Sequence, residues 1–369
     1  MDSAIHRDVD YDQEGGLPES VLRAAVIGAG WYAAQNHIPA LAARPEVVLD
    51  GVCRLGREDL ERVRDHFGFA FASERFEDVL ARKPDIVVVA SPHQLHYRHA
   101  AAALEAGAHV LCEKPLTLDP AEAWDLVAKA EARGRHLVTA NGYQYLPRVD
   151  DLRRRIAEGA VGAIEHVMVS FISATRDVFS GGRGLDSWRT TFFRPDRSTW
   201  QDPANGGGFA YGQLSHALAM MYFLTGLEPA AITAFSVSSD RVDIAEAGAL
   251  HFTNGAVASI SGAAAMPQGN RGLLRLFITG DAGLLTVEFD RDECEIRRFS
   301  GEVERLPLTE GDWVYRCDGP VNALVDLALG QGANLSPGTI GARTAATIAA
   351  LLQSATAGGV PQPILGRNN

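Results

Sequence analysis

The chain is poor in thiols, in positive charge and in long apolar runs, and each shortage removes a class of function. It has 4 cysteines in 369 residues. They stand at positions 53, 112, 294 and 317 without the spacing of a zinc site, which points to a reduced, cytosolic protein rather than a disulfide framework. Lysine and arginine total 34 against 46 acidic residues, a formal charge of −12. Nucleic-acid binding needs clustered cations that release counterions, so it is not expected. No apolar run approaches the roughly 18 residues of a membrane span. The acidic start "MDSAIHRDVDYDQEGGLPES" has the grammar of neither a secretion signal nor a transit peptide, and residues 1–20 read as a loose leader. His93, His96 and His99 recur every third residue with no carboxylate or thiolate set beside them, so no metal site is expected.

What remains is an ordinary globular composition, 46% hydrophobic and 22% charged, long enough for two domains. Up to about residue 145 the runs "RAAVIGAG", "VVLDGVC", "DIVVVASP", "AHVLCEKP" and "RHLVTANGY" alternate with helical stretches that end near Gly68, Gly107 and Gly134. Such alternation builds a parallel sheet covered by helices on both faces. Beyond it, strand-like runs from "AIEHVMVSFIS" to "GLLTVEF" follow one another across short turns, and Asn254-Gly255 marks a hairpin. The expectation is a 21–145 α/β domain followed by a 146–369 α+β domain with a mostly antiparallel open sheet. Its last helices would pack back on the first domain.

Within "VIGAGWYA", Gly28, Gly30 and Ala33 form a G-x-G-x-x-A turn directly after the first strand, flanked by Trp31 and Tyr32. There the first glycine permits the turn and the second lets a pyrophosphate approach. The small third residue lets helix and strand pack, with phosphate at the helix N-terminus. Where the second strand usually ends in an acidic residue for the adenosine ribose, this chain has Arg54, with Arg57 beyond. A guanidinium fork suits a 2′-phosphate, so the pattern leans towards NADP without excluding NAD.

With "HVLCEKPLT" the chain resembles the Gfo/Idh/MocA oxidoreductases, the relatives of glucose–fructose oxidoreductase and inositol dehydrogenase. The matching segments are "VIGAGWYA", "ASPHQLHYRHA", "ALEAGAHVLCEKP" and "NGGGFAYGQLSH", across roughly residues 22 to 360. The resemblance implies a Rossmann-type NAD(P)-binding domain and a substrate-binding domain that also serves a homo-oligomer, a dimer or tetramer. It places Glu113 on the nicotinamide-side ribose and Lys114 at a substrate oxygen and the cofactor. Ser91, Pro92, His93 and His96 border the nicotinamide half, and Tyr143, Gln144 and Arg148 reach towards substrate.

The chemistry fits that placement. Removing hydride from a secondary alcohol needs a group to take the hydroxyl proton and another to stabilise the developing oxyanion. Lys114 and His216 are the candidate catalytic pair. The family carries Asp four residues before this histidine, on one helical face, whereas this chain has Gly212. Three explanations stay open. The vacated space holds the aglycone of a larger glycoside; or Lys114 and His216 suffice for a small sugar, helped by Tyr211 or Gln213; or the chain is a ligand-sensing regulator without catalysis. The three glycines 206–208 are expected to bring backbone near cofactor or substrate. The loop "DSWRTTFFRPDRSTWQDP" is expected to cover the pocket, with Trp188 and Trp200 positioned to stack on a sugar ring. The expected activity is NAD(P)-dependent oxidation or reduction of a ring carbinol, glycoside 3-dehydrogenation included. A redox-neutral NAD-dependent glycosidase is the enzymatic alternative.

Overall fold

The computed structural model describes residues 21–182, 192–194, 197–307 and 314–367. Leader residues 1–20 and Trp188 therefore lie outside the described residues. The first sheet is built by β1 (Leu22–Ile27), β2 (Val47–Cys53), β3 (Phe71–Ser73), β4 (Ile86–Val89), β5 (His109–Cys112) and β6 (Leu137–Thr139). All pair in parallel in the order β3-β2-β1-β4-β5-β6. The order reverses between β1 and β4, the switch point where such sheets bind ligands at their carboxyl ends. Strand β4 shows why these segments are strands: all four of its side chains are fully buried, as a central parallel strand covered on both faces demands. The sequence reading finds five of the six; β3 is three half-buried residues, too short to show a strand period.

Helices α1 (Ile38–Ala42), α2 (Arg57–Phe67), α3 (Phe76–Leu80), α4 (His96–Glu105) and α5 (Pro120–Ala132) cover this sheet, and α6 (Pro147–Ala157) leads out of it. Gly68 adopts the left-handed conformation (φ 77°) and ends α2, since its N–H reaches Arg64 O. The second sheet comprises β7 (Ile164–Ile172), β8 (Pro229–Ser239), β9 (Val242–Phe252), β10 (Val257–Ala263), β11 (Leu273–Gly280), β12 (Gly283–Glu288), β13 (Glu293–Arg298), β14 (Val303–Arg305) and β15 (Gln362–Pro363). Its order is β14-β13-β12-β11-β7-β10-β9-β8-β15, antiparallel except for β7 with β10. Asn254-Gly255 makes the expected hairpin between β9 and β10, with Gly255 at φ 90°. Strand β10 alternates exposed and buried residues, so one face of this sheet packs inward and the other looks outward.

Between β7 and β8 lie α7 (Arg176–Phe179), α8 (Ser198–Gln201) and α9 (Ser215–Thr225); α10 (Gly319–Ala328) and α11 (Gly338–Thr356) follow β14. The last helices return to the first sheet. Val321, Leu324 and Val325 of α10 share a core with Val26, Val88 and Val138. Helix α11 places Ala342 and Ala345 in the core around Val110 and Leu126, and Ile348 in the core of the second sheet. A Cβ at Gly341 would strike Leu116 and Thr139, so close approach of α11 to the first domain requires that glycine. One helix thus seals both halves and fixes the cleft between them.

Candidate active site

The dinucleotide turn follows β1 without interruption. Gly28 has φ 91°, and a Cβ there would collide with the Ser91 backbone, which crosses from β4. Gly30 is different: a Cβ would meet only Gly28 O, at 4.0 Å. The protein itself does not forbid a side chain at Gly30, which leaves that space to a ligand. Ala33 is buried and begins a π-helical turn, Ala33–His37, that runs into α1; such turns recur at functional sites. Trp31 packs edge-on against Tyr32, whose hydroxyl reaches Cys317 Sγ at 3.4 Å.

Arg54 is not an open fork. Its Nη2 holds Asp59 at 2.8 Å, Nη1 and Nε donate to Ala29 O and Leu55 O, and Phe193 lies 4.0 Å from its guanidinium carbon. Arg57 is 85% exposed and pairs with Glu61 one turn along α2.

The loops after β4 and β5 converge. His96 spends both ring nitrogens on main-chain carbonyls, Nδ1 at 2.7 Å from Pro115 O and Nε2 at 2.8 Å from Ser91 O. It ties the two loops together and keeps no nitrogen for a cofactor, which corrects its expected contact role. Ser91 Oγ lies 2.9 Å from His99 Nδ1, and Pro92 leads into the turn that carries buried His93. Glu113 directly follows β5, with its Oε1 2.7 Å from Nε2 of buried His37 and its Oε2 accepting from Lys114 N. Burial alone would raise this carboxyl, but the hydrogen bond from His37 and the charges of His37 and Lys114 hold it below the usual value. His37 is a site residue that the sequence reading missed; a histidine in the helix after a glycine turn was the available signal.

Lys114 crosses to the other domain. Its Nζ donates to Gly212 O at 2.6 Å and lies 5.8 Å from the Trp200 ring. Burial lowers its pKa to about 8, with the Glu113 charge opposing. His216, one turn beyond Gly212, has its pKa driven well down by burial and then by the Lys114 charge. Its Nδ1 is buried with no hydrogen-bond partner, and its ring meets those of Tyr315, Tyr143 and Phe171 at 5.0, 5.9 and 6.4 Å. Tyr315, from late in the chain, had no sequence signal; the return of α10 brings it here.

The glycine segment has a physical explanation that differs from the expected one. A Cβ at Gly207 would meet Trp200 O at 2.7 Å and Asp202 O at 2.8 Å, and one at Gly208 (φ 109°) would strike Asp243. These residues make room for protein. Asp243 accepts from Ala210 N at 2.7 Å and so caps the start of the π turn Ala210–Leu214 that precedes α9. A register shift opposite Val237–Ser238, a β-bulge in β9, turns Asp243 inward beside buried Glu246. Burial, then Asp243, raises the Glu246 carboxyl to about 11.

Gly212 is also not a vacancy. A Cβ there would lie 2.9 Å from Phe179 and 3.6 Å from Trp200, so these rings occupy the space expected to be open. Tyr211 is buried and gives its hydroxyl to Leu118 O at 3.3 Å, which spends its polar end on the main chain. Gln144 is fully buried with both amide atoms unpartnered, as it would be beside a missing ligand. Arg148 of α6 bonds Asp151 of the same helix at 3.3 Å and Pro307 O at 3.2 Å, while its buried Nε has no partner. Trp200 lies between the halves, against Lys114, His93 and Gly212.

Several of the buried polar atoms without partners lie around the turn and cleft: Nδ1 of His37 and His216, Asn141 Oδ1 and the Gln144 amide. With the open space over Gly30, they fit a dinucleotide and a polar substrate. Among the described residues no group of three or more His, Cys, Asp or Glu could hold a metal ion.

Comparisons with known proteins agree with this architecture. Residues 22–141 match the family model for the oxidoreductase family with an NAD-binding Rossmann fold. Residues 149–286 match the GFO/IDH/MocA C-terminal domain. The chain is 32% identical over 152 residues to D-glucoside 3-dehydrogenase of Escherichia coli (strain K12), across 41% of this chain and 43% of that protein. It is 28% identical over 207 residues to glucose-6-phosphate 3-dehydrogenase of Bacillus subtilis (strain 168), across 55% and 53%. The chain therefore spans about half the length of the curated relatives it matches. Levoglucosan dehydrogenase, in its complex with NADH and L-sorbose, superposes with TM-score 0.75 at 21% identity, across 94% of this chain and 100% of that one. That likeness shows the fold.

Proposed function

Since the chain belongs to the Gfo/Idh/MocA oxidoreductase family, we propose that it is an NAD(P)-dependent dehydrogenase acting on a ring carbinol of a sugar or glycoside. The observation that carries this reading is the bond from Lys114 Nζ to Gly212 O, 2.6 Å long, which sets an ammonium one turn from His216. The 3-dehydrogenases among its relatives favour the carbinol at carbon 3.

When bound, the nicotinamide supplies the acceptor or donor of hydride. The chain supplies the rest. Lys114, cationic below about pH 8, stabilises negative charge as it develops on the carbinol oxygen. His216, kept neutral by burial and by that charge, takes the hydroxyl proton. Its buried Nδ1 lacks a partner that a substrate hydroxyl would provide. Gly28, Gly30 and Ala33 form the pyrophosphate cradle, and Glu113 with His37 faces the ribose. Tyr143 and Gln144 bind substrate hydroxyls, and Trp200 offers a face for the ring.

Arg54 is already engaged by Asp59 and two carbonyls, so the argument for NADP loses its free guanidinium. The outer face of the second sheet exposes Phe235 and Val257, which supports a homo-oligomer built on that face. All four cysteines are free thiols, in keeping with a reducing compartment. Among the described residues, no helix is long and apolar enough to cross a membrane.

The test is nicotinamide absorbance with purified protein, either dinucleotide and a panel of sugars and glycosides. Substrate-dependent reduction supports the dehydrogenase. Glycoside hydrolysis without net absorbance change would replace it with the redox-neutral glycosidase, and dinucleotide binding without any turnover would replace it with a regulator.

A further inference from the structure

Phe179 and Trp200 close the space beside Gly212, so an extended substrate must leave the reacting centre elsewhere. A cavity of about 250 Å³ lies behind the rings that pack on His216. Tyr143, Phe171 and Tyr315 line it and are the same three rings that pack on the imidazole. Phe171 of β7 and Leu274 of β11 are direct cross-strand partners and form its floor, and Phe289 stands 6.5 Å from the Tyr143 ring.

Whole small-molecule sites run to roughly 300–1,000 Å³. The cavity is therefore sized for part of a ligand whose remainder lies elsewhere, and the three rings it shares with His216 point to where. Its chemistry gives a second sugar ring few polar partners beyond Tyr143. Among the described residues Arg271 is the one charged lining residue, and its guanidinium is bound to Asp292, at 2.6 and 3.1 Å, and to Phe289 O. The Tyr315 hydroxyl is committed to Ala140 O at 2.9 Å. Sugar hydroxyls placed here would give up water for few partners, at a cost, whereas an apolar group loses nothing.

We propose that this cavity is an aglycone subsite, receiving an aromatic or other apolar aglycone while the glycosyl ring sits at Lys114 and His216. The inference rests on the dehydrogenase reading and narrows its substrates to glycosides with apolar aglycones. Aromatic rings in the walls prefer edge-to-face and offset contacts with an aryl group, and these add to the area buried.

The experiment compares kcat/KM for glucose and for methyl, phenyl and glucosyl glucosides in both anomeric forms. It uses the wild type, Phe289→Ala and Val314→Trp. Val314 lines the mouth and is 47% exposed, so the tryptophan fills the cavity without disturbing a packed core. The wild type should prefer a phenyl over a methyl glucoside by about tenfold or more, the factor that burying a ring of this size provides. Both substitutions should erase most of that preference and leave methyl glucoside turnover within about twofold. A phenyl-to-methyl ratio near one, a preference that survives both substitutions, or a disaccharide that outperforms the phenyl glucoside would each overturn the subsite and leave the dehydrogenase standing. Failure to oxidise any sugar or glycoside would overturn the dehydrogenase reading, and the subsite with it.

Discussion

Gly30 and Gly212 stand on the two halves of the same cleft, and each lacks a side chain for a different reason. Above Gly30 the protein leaves room, with its nearest neighbour to a Cβ at 4.0 Å. Beside Gly212 the room is taken, with Phe179 2.9 Å from where a Cβ would be. The first glycine borders open space, the second is required by packing. A missing side chain therefore says nothing about open space until its neighbours are known. The difference extends to whole regions. The dinucleotide half is set by local grammar, a turn between one strand and one helix. The substrate half depends on a lysine from β5, a bulge in β9, a π turn and a tyrosine from beyond β14.

The largest effect should come from Gly30→Val, which would abolish dinucleotide binding, measured by fluorescence titration, while the melting temperature stays near that of the wild type. Retained binding would show that the space over Gly30 is not the ligand's. Lys114→Met comes next: turnover should fall about a thousandfold with dinucleotide affinity preserved. Near-normal kcat would remove the ammonium from the chemistry.

Gly212→Ala should do the reverse of Gly30→Val. Overpacking against Phe179 costs about 1–3 kcal/mol, partly offset by about 1 kcal/mol of helix propensity, so the melting temperature should drop with dinucleotide binding intact. An unchanged or higher melting temperature would mean that Phe179 yields easily and the cleft is open after all.

Glu246 gives a smaller and pH-graded effect. Its folded pKa of about 11 lies above the ordinary carboxylate value. Its contribution to stability is thus fullest below that ordinary value and declines as pH rises towards 11. Glu246→Gln cannot titrate, so its melting temperature relative to wild type should climb from pH 5 to pH 9. A constant difference would place Glu246 in a solvated setting.

Much of the fold was legible, for reasons visible in single residues. Buried parallel strands such as Ile86–Val89 are unbroken β-branched runs, and Asn254-Gly255 supplies the positive φ that its turn requires. The edge strands escaped because they carry charge (Glu293–Arg298) or are too short (Val303–Arg305, Gln362–Pro363) to show a period. At the site, Gly28 and Gly30 are candidates from the turn motif, and Glu113, Lys114 and His216 from the family resemblance. Arg57, Arg148 and His96 have partners in the chain, Glu61, Asp151 and two carbonyls, that only the folded structure supplies. Tyr315, Phe179 and the Asp243–Glu246 pair are local to nothing in the sequence near them.

The central claim is that a cationic Lys114 and a neutral His216 act on one carbinol oxygen. Its most direct test is the pH dependence of kcat/KM for sugar or glycoside oxidation. The account predicts a bell: activity rises as His216 loses its proton, at a pH below 6.5, and falls as Lys114 loses its own near 8. The alkaline limb should vanish in Lys114→Met. A profile that climbs steadily through pH 8, or an alkaline limb that persists without Lys114, would contradict the assignment.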